Sequence, residues 1–328
     1  MGKMVIVQPI ITEVNEVLRR NVSEIDNVPG VKLINAPKIW EIGEYGKGII
    51  IAVLDSGCDW RHPDLNGQVI AGKNFTDIGS PDDYLDEHGH GTHVAGTIAA
   101  KLDGKGVVGV APEAKLLILK VLRIDQDNPQ NAIGNTDWQV AAIDYAISWR
   151  GPNQEKVRVI SMSIIGEEGD EAYHEAIKRA IDNDIPVVTC AGNNGDVDEG
   201  GDCSPENDEI SYPGIYPEVI SVGAVKLDKS FPCYSATNSQ VDIVAPGGDE
   251  NAPIYSTTPN GGYGMGWKTS MAVPHVSGAL ALLINTIERE LGRRLTEREI
   301  YAQLIKHTVS LGESKKREGN GLLDLSIK

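Results

Sequence analysis

Residues 49–57 read Ile-Ile-Ile-Ala-Val-Leu-Asp-Ser-Gly, six apolar residues in a row that stop at a carboxylate and a turn. A strand with one wet face alternates apolar and polar residues. A continuous run of this length instead fits a strand covered on both faces, as in a parallel sheet. KLLILKV at 115–121 is a second such run, and further strands are expected at 157–162, 186–190, 219–224 and 241–245. Helix-like stretches fall among them at 91–100, 136–148 and 171–183, the last with Ala176, Ile177, Ala180 and Ile181 on one face. Strand and helix in alternation, joined by right-handed crossovers, predict an α/β fold: a doubly wound, mostly parallel sheet flanked by helices. Residues 271–288 read as a long apolar helix, and Thr296-Glu297-Arg298-Glu299 is a capping box opening a last helix toward His307.

The chain of 328 residues is long enough to bury a large core, and with 41% hydrophobic and 23% charged residues it has a globular composition. Its formal charge of -17 repels phosphate backbones and anionic lipid, so nucleic acid and membrane are not expected partners. The apolar N-terminal run is broken by Gln8 and Pro9, too short for a secretory signal or a membrane span, which gives a cytoplasmic address. Cys58, Cys190, Cys203 and Cys233 form no CxxC pair. In that compartment four free thiols are expected, with a Cys203 to Cys233 pairing as the alternative. Residues 1–28 carry no strand or helix signal continuous with the sheet and read as an appended segment before a single domain at 29–328. The acidic, Gly-rich stretch 195–208 reads as a mobile loop.

Three separated segments carry chemistry. Asp55 stands where a buried strand ends, a place from which a carboxylate can orient an imidazole, although an Asp there is also an ordinary turn residue. His88-Gly89-His90-Gly91-Thr92-His93 opens a helix with three histidines. A zinc site is the competing reading, but at these spacings the rings do not readily converge on one ion and no Cys or Glu follows at ligand spacing. Ser270, at the threshold of the 271–288 helix, lies near unpaired backbone N–H groups and a positive dipole end, which favour developing negative charge; as a lone feature it reads equally as an N-cap.

Taken together, DSG at 55–57, HGTHVAG at 90–96 and TSMAVPHVSG at 269–278, in the chain order Asp, His, Ser, resemble the subtilisin family of serine proteases. The resemblance runs from about residue 31 to 283. It implies Asp55 as orienter, His90 as general base and acid, and Ser270 as nucleophile of an endopeptidase acting on proteins and peptides through an acyl-enzyme. Ala191-Gly192-Asn193 is similar to the family's oxyanion segment and implies Asn193 as a donor, with the Ser270 N–H as the second. Ser163, Ile164, Ile165 and Gly166 resemble the edge strand that binds extended substrate, with Ile165 where the family usually has glycine. Cys190, Ala191 and Gly192, with Ser211-Tyr212-Pro213-Gly214, resemble walls of the primary specificity pocket. Lys268 also departs from the pattern, standing where the family has glycine.

The surroundings of Cys58, the acidic charge and the missing signal resemble the intracellular subtilisins, which implies a short N-terminal extension, a C-terminal helix and a homodimer. Val7-Gln8-Pro9-Ile10 would be the extension's proline-centred motif, a departure from the usual Leu-Ile-Pro-aromatic run. An unexported protease must be kept from its surroundings, so the N-terminal segment is expected to act as the enzyme's own inhibitor, paired with the edge near Ser163 to Gly166. Pro9 would lift its backbone away from Ser270. His62-Pro63-Asp64 and the loop 101–107 are similar to the family's tight calcium site, with Asp64 and Asp103 as side-chain ligands of a structural calcium ion; an ordinary turn is the alternative there. Two other functional readings remain at this point: a catalytically silent binding or regulatory protein of the same fold, and a metallohydrolase built on the histidines.

Overall fold

The computed structural model describes residues 2–7, 23–197, 201–206 and 208–326. The chain begins with strand β1 (Met4–Val7), a 3-10 turn (Glu24–Asn27) and two short helices, α1 (Pro29–Leu33) and α2 (Ala36–Trp40). Then come β2 (Ile50–Asp55), β3 (Val69–Asn74), α3 (His90–Ala99), β4 (Lys115–Lys120), β5 (Arg123–Ile124), β6 (Ala132–Asn135) and α4 (Thr136–Ser148). The second half holds β7 (Val157–Met162), α5 (Glu171–Ile181), β8 (Val187–Cys190), β9 (Ile220–Val225), β10 (Ile243–Pro246) and the hairpin β11 (Ile254–Thr258) and β12 (Gly262–Gly266). It ends with α6 (Thr269–Leu291), α7 (Glu297–Lys306), β13 (Thr308–Val309), α8 (Lys315–Glu318) and β14 (Leu322–Leu323).

Nine strands form the central sheet in the order β13-β14-β10-β9-β8-β7-β2-β4-β3, parallel except for the edge pair β13 and β14. The continuous apolar run of β2 is explained by its two faces. Ile51 and Val53 join the core under α3 and α6, whereas Ile50, Ala52 and Leu54 join the core under α4 and α5. β4 repeats the division, with Leu116 and Ile118 on one side and Leu117 and Leu119 on the other. The winding reverses between β2 and β7, so the crevice at the carboxyl ends of those strands is the default ligand position of such a sheet. Asp55 ends β2, and Ser163 follows β7.

Two expectations need correction. Cys203 and Cys233 form a disulfide, and Cys58 and Cys190 alone are free, both buried. The fold brings two cysteines 30 residues apart in sequence to a Cα separation of 4.9 Å, a proximity that spacing does not reveal. Second, Met4–Val7 is a strand, although four residues are too few to declare one in sequence. Of the stretch 195–208, residues 198–200 and 207 lie outside the described residues; among the rest, Cys203 is joined to Cys233 and the Ser204 carbonyl accepts the Thr237 hydroxyl at 3.1 Å.

Candidate active site

Strand β2 delivers Asp55 and helix α3 delivers His90 because the turn between them is built from side-chain caps. The buried Asp86 carboxylate accepts from Ser56 Oγ, from the His88 and Gly89 N–H groups, and from the N–H and hydroxyl of Thr92, all at 2.6–3.0 Å. Ser56 Oγ in turn accepts from the Gly91 N–H at 3.0 Å. A side chain at Gly91 would meet the Gly57 carbonyl at 2.2 Å, so glycine is needed for the helix start to approach β2. Asp86, unremarked in the sequence, is therefore the cap that seats His90.

His90 Nδ1 donates to Asp55 Oδ1 at 2.8 Å, and the same oxygen accepts the Ser56 N–H at 2.7 Å. That bond assigns the tautomer and leaves the Nε2 lone pair free. Nε2 is buried and has no hydrogen-bond partner among the described residues. The three histidines of the motif go to three places. His88 Nε2 lies 2.8 Å from the Gln130 carbonyl, and His93, whose pKa burial pushes down to about 3, bonds the Ile254 carbonyl at 3.1 Å inside the core.

Ser270 is the second residue of α6, and Pro274 determines its neighbour. Proline has no N–H to give the carbonyl four residues back, so the Ser270 carbonyl lacks its helical donor. Ser163 Oγ supplies one at 2.9 Å, and Ser270 Oγ returns a hydrogen bond to the Ser163 carbonyl at 3.2 Å. The reciprocal pair ties the start of α6 to the crevice. Beneath it lies Cys190 Sγ, 3.8 Å from Ser270 Oγ, its thiol pushed by burial up to about 12 and so kept unreactive. Asn193 is buried, and its Oδ1 accepts from the Thr269 N–H at 3.0 Å and the Thr269 hydroxyl at 2.7 Å. This leaves the two Nδ2 protons as the donors that Thr269 does not use. Lys268, just before, has φ 108° and ψ 174°, a conformation natural to glycine, with its ammonium 5.1 Å from the centre of the Tyr234 ring.

The crevice wall from Ser163 to Gly166 faces β6 across a gap, and β1 runs between them. Its four residues pair antiparallel with β6, Met4 to Asn135 through Val7 to Ala132. On the other side the Ile6 N–H donates to the Ile165 carbonyl at 2.9 Å, and the Ile6 carbonyl accepts the Ile165 N–H at 3.4 Å. Val5 and Val7 are buried, each 2% exposed, and Met4 points outward. Gln8, Pro9 and Ile10 of the expected proline motif lie outside the described residues. Ile164 is wholly buried and acts as core, and Gly166 forms a bridge with Tyr212 at the next wall.

At the expected cation loop, Asp64 Oδ2 accepts from the Val107 N–H at 2.9 Å and from the Tyr263 hydroxyl at 3.0 Å. Glu24, a residue the sequence reading missed, reaches in from the N-terminal turn and accepts from the Gly104 and Asp103 N–H groups at 3.0 and 3.3 Å. Burial pushes both the Asp64 and the Glu24 carboxyls up, and the charge of Asp103 adds to each. Among the described residues no three His, Cys, Asp or Glu side chains gather closely enough to hold a metal by themselves. An ion here would complete its shell with backbone carbonyls, and partly desolvated carboxylates beside a tight glycine loop fit the oxygen donors that calcium takes.

The model of the subtilase family, peptidase family S8, matches residues 46–323. The chain is 49% identical to the intracellular serine protease of Paenibacillus polymyxa over 306 residues, 92% of this chain and 87% of that protein. It is 46% identical to the major intracellular serine protease of Bacillus subtilis over 313 residues, 94% and 92% of the two chains. With subtilisin E of Bacillus subtilis it shares 38% over 256 residues, covering 78% of this chain and 60% of that protein. Sequence, topology and these likenesses agree, and the chain belongs to the subtilase family.

Proposed function

We propose that the chain, a serine endopeptidase of the subtilisin type, works through Ser270, His90 and Asp55, and that its own N-terminal segment keeps it closed. The observation that carries the reading is His90, bonded to a carboxylate through Nδ1 and with an unpartnered lone pair on Nε2. In the reaction the Ser270 hydroxyl swings from the Ser163 carbonyl to Nε2. Its oxygen attacks the substrate carbonyl while the proton passes to His90, and Asp55 stabilises the imidazolium. The oxyanion takes hydrogen bonds from Asn193 Nδ2 and the Ser270 N–H, and return of the proton to the amine releases the first product. Water then repeats the sequence on the acyl-enzyme.

Strand β1 lies where an extended substrate would add to Ser163–Gly166 and β6, with main-chain bonds on both sides. This supports synthesis as a zymogen, and the names of two relatives support a cytoplasmic address. A structural calcium ion at Asp64, Asp103 and the 101–107 carbonyls would brace the loop, away from the reacting atoms. The homodimer rests on the family resemblance alone. The test is the initial rate on a small chromogenic peptide of a chain beginning at Ser23, which keeps Glu24 in place, against the full chain. A faster trimmed chain supports the reading, and equal rates contradict self-inhibition.

A further inference from the structure

We infer that the Cys203–Cys233 disulfide is a redox site whose state sets the wall of the primary specificity pocket, opened by low-molecular-weight thiols and closed by disulfides of the same class. The inference rests on the endopeptidase reading above. Gly195, two residues beyond Asn193, is gripped by both halves of the bridge. Its N–H donates to the carbonyl of Tyr234, the neighbour of Cys233, at 3.1 Å, and its carbonyl accepts the Cys203 N–H at 2.9 Å. The chain passes so close there that a side chain on Gly195 would lie 2.5 Å from the Cys233 carbonyl. Asn194, between Gly195 and Asn193, accepts from Ser211 Oγ at 3.2 Å and donates to the Ile210 carbonyl at 3.3 Å. The Gly192 carbonyl accepts the Ala236 N–H at 3.1 Å. The expected walls Gly192 and Ser211, the latter through Asn194, are therefore braced against the segment that carries Cys233, and the bridge clamps the brace.

Access and chemistry favour exchange at this bridge. Cys203 is exposed and Cys233 half-buried, so a thiolate can reach the Cys203 sulfur. Attack forms a mixed disulfide on Cys203, breaks the Cys203–Cys233 bond and expels Cys233 as a thiolate that takes up a proton. A second thiol then resolves the mixed disulfide, leaving two cysteine thiols and one oxidised reagent disulfide; two electrons and two protons have passed to the protein. Cys58 and Cys190 are bystanders, because burial pushes both thiols up and keeps them protonated. The bonds from Thr237 to the Glu209 carboxylate do not involve the bridge, so opening it is expected to act locally. Disulfides in reducing compartments are commonly redox-sensing, and two relatives are named as intracellular.

The experiment compares the chain beginning at Ser23, oxidised and after dithiothreitol, with its Cys203→Ser/Cys233→Ser variant. It measures kcat and KM on chromogenic peptides with a large or a small residue before the scissile bond, the unfolding midpoint, and fluorophosphonate labelling. Reduction or the double substitution is expected to raise KM for the large residue by about threefold or more, with kcat within about twofold, and the variant should ignore dithiothreitol. Equal KM in both redox states, or a variant that still responds to dithiothreitol, overturns the inference. So does unfolding of the reduced chain, which would make the bridge purely structural. Absence of labelling in every form would instead mean that the endopeptidase reading itself has failed.

Discussion

Replacing both Val5 and Val7 by alanine should release the N-terminal strand from the crevice without touching the catalytic groups. Each side chain is 2% exposed, and each substitution removes two carbons from a buried position. At about 0.8 kcal/mol per buried methylene the pair loses about 3 kcal/mol. With about 1.4 kcal/mol for each factor of ten, the closed-to-open ratio falls by about 200-fold. The backbone ladder with β6 and Ile165 is left intact, so the loss is one of packing. If the closed form dominates, the initial rate on a small chromogenic peptide rises in proportion, until it meets the rate of the chain beginning at Ser23. The assay must be read within the first minutes, before autolysis removes the segment. An unchanged rate in the double variant, beside a much faster trimmed chain, would refute the claim that these two side chains hold the strand in place.

Three further outcomes are expected. Asn193→Ala should lower kcat/KM, costing about 2.7–4 kcal/mol of transition-state stabilisation, the size this loss has in subtilisin itself, and should also lower the unfolding midpoint because the buried Thr269 N–H and hydroxyl lose their acceptor; near-normal turnover would remove Asn193 from the mechanism. Burial pushes Asp242 up to about 6, although it accepts from the Tyr301 hydroxyl at 2.6 Å and the Ser221 N–H at 2.8 Å. A carboxyl raised in the folded state adds stability below its unfolded pKa and loses it as pH rises through the folded one. Unfolding free energy should therefore fall by up to about 3 kcal/mol between about pH 4 and 6, and Asp242→Asn should flatten that window in denaturant titrations. Chelation should lower the unfolding midpoint, while brief chelation in the cold leaves the initial rate nearly unchanged; an immediate loss of rate with the fold intact would speak against a purely structural ion.

Much of this was legible in the sequence for identifiable reasons. The run at 49–54 announced a strand buried on both faces, and the structure divides its alternate residues between two helical layers. Asp55, His90 and Ser270 could be singled out as candidates because each stands at the end of such an element inside a recognisable motif, and Asn193 because Ala-Gly-Asn follows the strand that ends at Cys190. What escaped depends on partners far away in sequence. Met4–Val7 is a strand only because β6 and Ile165 complete it, more than 120 residues on. Asp86 looked like one acid among several until its carboxylate was seen capping α3. Glu24 sits far upstream of the loop amides it binds, and the cysteine pairing depends on how two loops cross. The polar hairpin of β11 and β12 carries small residues and glycines instead of an apolar pattern, so no period marked it.

The most direct measurement of the central claim is stoichiometric labelling of the chain beginning at Ser23 with a fluorophosphonate, followed by peptide mapping, with Ser270→Ala assayed in parallel. The account predicts a single label on Ser270, and loss of both label and peptide hydrolysis in the folded Ser270→Ala chain. A label on another residue, or hydrolysis that survives the substitution, would contradict it.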